Sequence, residues 1–271
     1  MIDLNTQYAW EMMRKRRIAA AGGGSTPLTL TALTNGSKVT LNKVGSPPAV
    51  SLEYSTGGAW STYTIGTEIT LTSAGDYIKF RGDNSTFSTT ANNYYRFSMS
   101  GTIGASGNVM SLVDSTLVST TIPCDFCFRS LFNGCTSLTT APELPAMALA
   151  ANCYNSMFYG CTGLTTAPAL PATTLATNCY QSMFRSCTGL TTAPALPATT
   201  LATYCYYYMF YGCTKLSSIE VSFTSWTQAA GQTLNWVGGV PSTGTFTKPT
   251  ALIEEYGTSR IPTGWTVVNK E

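Results

Sequence analysis

A period of 26 residues governs the second half of the chain. The motifs beginning at Cys135, Cys161, Cys187 and Cys213, which read CTSL, CTGL, CTGL and CTKL, recur at that interval, as do Cys127, Cys153, Cys179 and Cys205. The block LTTAPALPATTLAT occurs at Leu164 and again at Leu190. A unit this short cannot bury its apolar face alone, so the units must stack and share one core.

Each unit divides into two readings. In residues 179–187, Cys179, Met183 and Cys187 fall at i, i+4 and i+8 with Phe184 beside them, the pattern of one helical face. Leu190 then opens a segment whose threonines suit a strand, kept short by Pro194 and Pro197. Stacking places equivalent residues in ladders roughly 5 Å apart. Eight of the nine cysteines sit at repeat positions, where they serve as small buried hydrophobes with reduced thiols. Disulfides between equivalent positions are one alternative. A metal or redox pair at Cys124-x-x-Cys127 is another, although no second CxxC and no histidine exist to complete a zinc site.

The flanking segments differ in kind. Residues 222–271 break the period and carry Trp226, Trp236 and Trp265, which suits a cap over the last repeat. Residues 27–102 hold seven alternating segments separated by turn signals such as Asn35-Gly36 and Pro47-Pro48, the pattern of a small antiparallel, immunoglobulin-like sandwich. Tyr54, Trp60, Phe80 and Phe97 are its expected core or half-buried aromatics. Residues 103–126 form a connector, and the repeats occupy 127–221. At the start, residues 3–18 suit a helix with Leu4, Tyr8 and Met12 on one face, Trp10 and Met13 nearby, and a basic end containing Arg16 and Arg17. Such a helix is marginal alone. It either packs on its own domain or, given the Gly22–Ser25 linker, docks residues 1–21 into a larger assembly.

Composition narrows the function. Only 10% of residues are charged and the net charge is +2, which offers nucleic acid no basic surface. Histidine is absent, removing the commonest general base and a frequent metal ligand. No phosphate-binding loop or paired-carboxylate motif is present, so the expectation is a non-enzymatic protein without cofactor or metal. No apolar run approaches a membrane span, and residues 1–21 do not read as a secretory signal because the basic cluster follows the apolar residues. Arg81-Gly82-Asp83 and Asn84-Ser85-Thr86 match an adhesive tripeptide and a glycosylation sequon, and both also fit an ordinary turn.

Core positions of a repeat should be constant and outward positions free to vary. Asn155, Gln181 and Tyr207 form one varied set, and Tyr159, Arg185 and Tyr211 another, so these six are expected to be exposed. Aromatic and amide groups on a rigid surface suit glycan or protein recognition, against an inert solvated face as the alternative.

The motif Met157-Phe158-Tyr159-Gly160-Cys161-Thr162-Gly163-Leu164 and its copies over residues 127–221 resemble BspA-like leucine-rich repeats. The segments Trp236–Gly239, Ser242–Phe246 and Ile261–Val267 are similar to the ending of repeat proteins from gut anaerobes and their phages. The resemblance implies a leucine-rich-repeat solenoid with short helices and a C-terminal cap, which with the N-terminal helix and the sandwich read above gives a mainly β chain. It also implies binding rather than catalysis. With no export signal expected, the layout suggests a phage head or tail fibre or decoration protein, assembled in the host cytoplasm into the virion. Its expected partners are other virion proteins through residues 1–21, a host-surface protein or glycan through the repeats, and further copies of itself. A bacterial cell-surface adhesin is the alternative.

Overall fold

The computed structural model of the chain describes residues 26–270. The helix expected over residues 3–18, with Leu4, Tyr8, Trp10, Met12, Met13, Arg16 and Arg17 as its docking side chains, lies outside the described residues.

Alternating patterns in the first third form β1 (Leu28–Ala32), β2 (Ser37–Val44), β3 (Glu53–Ser55), β4 (Ser61–Thr62), β5 (Ile69–Leu71), β6 (Tyr77–Arg81) and β7 (Tyr94–Ser100). A further strand, β8 (Ile103–Ser106), follows. One sheet runs β4-β3-β6-β1-β8 and the other β5-β2-β7, with antiparallel pairing throughout. The period of two is visible in β6, where Ile78 and Phe80 are buried between half-buried neighbours. Phe80 meets Phe97 of the other sheet at 5.4 Å, and Tyr63 lies edge-on to Phe80 at 5.2 Å. Tyr54 and Trp60 are half-buried.

The repeats do not have the expected architecture. Among the described residues the only helical element is the 3₁₀ turn Val109–Leu112, and no leucine-rich-repeat solenoid with short helices forms. The segments read as helical faces are instead ribbons of consecutive tight turns. In residues 152–161 alternate amides bond locally: Asn155 donates to Asn152 O, Met157 to Tyr154 O, Tyr159 to Ser156 O and Cys161 to Phe158 O, each at 3.1 Å. The intervening amides bond to the next repeat: Tyr154 to Cys179 O at 3.0 Å, Ser156 to Gln181 O at 2.8 Å and Phe158 to Met183 O at 2.9 Å. Every fourth residue is left-handed, at Asn152, Ser156 and Gly160 with φ of 57°, 57° and 70°. It falls third in every second turn, where a type II turn needs positive φ. A side-chain period of four therefore arises from turns of alternating kind, and it mimics the 3.6 period of an α-helix.

The expected strands are also reduced. β9 (Leu138–Thr140) in the first repeat pairs in parallel with β8, so the repeats begin as an extension of the sandwich sheet. Beyond it the parallel ladder thins to single bridges, Thr140 to Thr166, Thr166 to Thr192 and Thr192 to Ser218. Pro168, Pro171, Pro194 and Pro197 lack the N–H groups that would extend it. A regular parallel sheet returns after the proline-rich units, as β10 (Ser218–Glu220), β11 (Thr245–Pro249) and β12 (Thr266–Lys270).

Two aromatic columns run through the stack. Phe97, Phe132, Phe158, Phe184 and Phe210 succeed one another at 5.2, 5.5, 5.6 and 5.9 Å, parallel to within 16°. Phe128, Tyr154, Tyr180 and Tyr206 form the second column at 5.9, 5.9 and 6.2 Å. Both end on Trp236, at 6.3 Å from Tyr206 and 6.2 Å from Phe210. That indole belongs to a fifth turn, with positive φ at Gly231, Asn235 and Gly239, inside the segment expected to be a cap. The indole N–H groups of Trp226, Trp236 and Trp265 each donate to a backbone carbonyl at 2.8 Å, so the cap buries three large rings without orphaned donors.

Three substitutions test this packing by chemical denaturation. Phe184→Ala removes a fully buried ring from the middle of a column and is expected to cost about 3–5 kcal/mol. The hydroxyl of Tyr154 is buried without a partner, and the first repeat carries Phe128 at that position. Tyr154→Phe is therefore expected to stabilise by about 1 kcal/mol. Ser186 is left-handed with φ of 60° where the other repeats place Gly134, Gly160 and Gly212. Relief of that strain exceeds the added freedom of the unfolded chain, so Ser186→Gly should stabilise by about 0.5–1 kcal/mol.

Candidate recognition face

The turn ribbons bury Cys, Met and the column aromatics, and their remaining side chains range from buried to exposed. The six residues expected to be exposed separate into two groups. Asn155 is buried, at 3% exposure. Its amide donates to Gln181 Oε1 at 3.1 Å and its oxygen accepts from Ser156 Oγ at 2.8 Å. Asn155 and half-buried Gln181 thus link successive turns. The sequence showed their variation but not that two amides could satisfy each other.

The other four converge; of these only Tyr211 is exposed as expected, and Tyr159, Arg185 and Tyr207 are half-buried because they pack on one another or on neighbouring rings across successive turns. Tyr159, Arg185 and Tyr211 fall in register on successive turns, and the Arg185 guanidinium lies 5.6 Å from the Tyr159 ring and 5.0 Å from the Tyr211 ring. It is closer still, at 4.7 Å, to the ring of Tyr208, which was not among the expected residues. Tyr207 stands edge-on to Tyr208 at 4.3 Å, Tyr208 to Tyr211 at 5.1 Å and Tyr204 to Tyr207 at 5.5 Å. The Tyr206-Tyr207-Tyr208 run therefore divides, with Tyr206 in the column and its two neighbours on this face.

The fifth turn supports the rings from below. A Cβ at Gly231 would meet the Tyr204 ring at 2.1 Å, and one at Gly238 would meet the Tyr211 ring at 2.7 Å. Asn235 Nδ2 donates to Tyr208 Oη at 3.2 Å. Desolvation, then the Tyr208 hydroxyl, raises the Tyr207 phenol above its ordinary value. The face is a platform of tyrosines around one cation.

The thiols have a different chemistry. All nine cysteines are unpaired. Cys135, Cys161, Cys187 and Cys213 donate to the carbonyls of Phe97, Phe132, Phe158 and Phe184 at 3.2, 3.0, 3.0 and 3.0 Å. Burial pushes these thiols up, Cys135 and Cys213 to about 12. Cys124 is the exception. It is half-buried, and a hydrogen bond from the Cys127 thiol holds it down at about 6. Among the described residues no group of three or more His, Cys, Asp or Glu side chains could hold a metal ion.

The two short motifs are absorbed by the fold. Arg81 pairs with Glu53 Oε2 at 2.7 Å, and both Asp83 oxygens accept from Ser115 at 2.8 Å. Asn84 is buried, bonding Ser51 and Leu112.

Comparison of the chain with protein-family models, curated proteins and solved structures finds no significant match.

Thiol alkylation of the native protein should modify Cys124 first among the nine. Thiolate is the nucleophile, so the rate should rise with pH through about 6 and level off above it. Peptide mapping after a short iodoacetamide pulse reads both outcomes.

Proposed function

We propose that this chain is a non-enzymatic recognition protein of a phage particle, a fibre or decoration subunit that presents the turn stack to the host surface. The observation carrying this reading is the tyrosine platform around Arg185. Tyr204 and Tyr211 remain exposed, at 39% and 38%, on a backbone cross-bonded from turn to turn. Large amphipathic rings on a rigid frame lose little entropy on binding, which suits recognition. The repeat motif's resemblance to proteins of bacterial surfaces and their phages supports the same reading. Nine thiols without a disulfide fit assembly in a reducing compartment. Attachment to the particle through residues 1–21 rests on the amphipathic pattern there.

Mass spectrometry of gradient-purified particles tests the placement. The chain should be present at stoichiometric copy number; its absence from particles and presence on washed bacterial cells would favour a cell-surface adhesin instead. The platform has its own test. The double variant Tyr207→Ala, Tyr211→Ala should lose about tenfold or more in adsorption to host cells. Its unfolding midpoint should stay near that of the parent, since neither ring belongs to the buried columns.

A further inference from the structure

Arg185 is held differently from the other arginines that lie over aromatic rings. Arg81 sits 4.2 Å over Trp60 and Arg260 5.5 Å over Trp226, and each also has a carboxylate at 2.7 Å. Among the described residues Arg185 has no carboxylate within 4.0 Å, and its Nε is buried with no hydrogen-bond partner. The rings of Tyr159, Tyr208 and Tyr211 attract the cation through their faces. Ring faces do not replace acceptors in the guanidinium plane, and a desolvated charged donor without an acceptor is costly.

Resting on the recognition reading above, we propose that this platform binds an acidic saccharide: the carboxylate pairs with Arg185 while the C–H faces of the sugar ring lie on the surrounding tyrosines. The Arg185 Nη groups, which are not closed off as Nε is, match a planar carboxylate with two parallel hydrogen bonds. A bare phosphate would satisfy the cation but leave the tyrosine rings without a partner. A nucleic acid would need several cations along its backbone, and between residues 130 and 214 Arg185 is accompanied only by Glu143 among charged side chains. One anionic group on a ring with apolar faces is the chemistry that uses everything the platform offers. Arg185 also stands midway between Tyr159 and Tyr211 in the repeat register, so successive units supply stacking rings on both sides of the charge.

The test uses the full chain on immobilised oligosaccharides capped with N-acetylneuraminic acid or galacturonic acid, each beside its carboxyl-reduced counterpart. The proposal expects retention on at least one acidic form, a tenfold or greater loss on carboxyl reduction, and weakening as salt rises. Arg185→Gln should lose the same tenfold or more, and Arg185→Lys should keep part of the binding. Equal binding to reduced sugars, unchanged binding by a folded Arg185→Gln variant, or no retention on any acidic sugar would overturn it. Should Arg185→Gln fail to fold, the carboxyl-reduction comparison on the unaltered chain decides alone. If host-cell adsorption still depends on Tyr207 and Tyr211 while acidic sugars are not held, the recognition reading stands and the saccharide inference falls.

Discussion

Backbone hydrogen bonding imposes the order of the whole stack. In each turn ribbon alternate amides close local turns and the amides between them reach the next repeat, so a single ribbon leaves half its donors without partners. Buried amides cannot be left that way, and the ribbon is stable only with another ribbon beside it. The sandwich supplies the first surface. Phe97 of β7 donates to Leu131 O at 2.8 Å and stacks its ring on Phe132, while β8 pairs with β9. The fifth turn and Trp236 close the far end. One continuous buried core accordingly extends from Leu28 to Trp265.

Much of this order was legible in the sequence, at the level of which side chains are buried. The i, i+4, i+8 pattern of Cys179, Met183 and Cys187 selects residues that are all buried, and the antiparallel segments fall where their alternation places them. The backbone that presents the pattern was not legible. A period of four fits an α-helix and a ribbon of alternating turns equally well. The distinguishing signal lies at every fourth position, where Asn152, Asn178, Gly134, Gly160 and Gly212 are residues that tolerate positive φ. Ser156, Ser182 and Tyr208 occupy the same conformation without such a preference, so the signal is incomplete.

The recognition face shows the same division. Register alone brought Tyr159, Arg185 and Tyr211 together, because residues 26 apart must be neighbours in any stacked repeat. Asn155 defeated the rule that variable positions face solvent, since its variation is matched by Gln181 across the stack. The places of Tyr204 and Tyr208 on the platform are not legible in the sequence because they depend on left-handed backbone at both residues, with φ of 51° and 54°. The strain in the ribbon and the display of the tyrosines therefore have a common origin. The turn geometry that costs conformational energy also aims the rings outward around Arg185.

NMR scalar couplings transmitted through hydrogen bonds read the alternation of local and cross-repeat bonds residue by residue. In a deuterated sample the amide nitrogen of Phe158 should couple to the carbonyl carbon of Met183, and that of Tyr154 to Cys179, while Met157 couples to Tyr154. Coupling of Phe158 to the carbonyl of Tyr154, four residues back along the chain, would show an α-helical turn in this repeat and contradict the alternation.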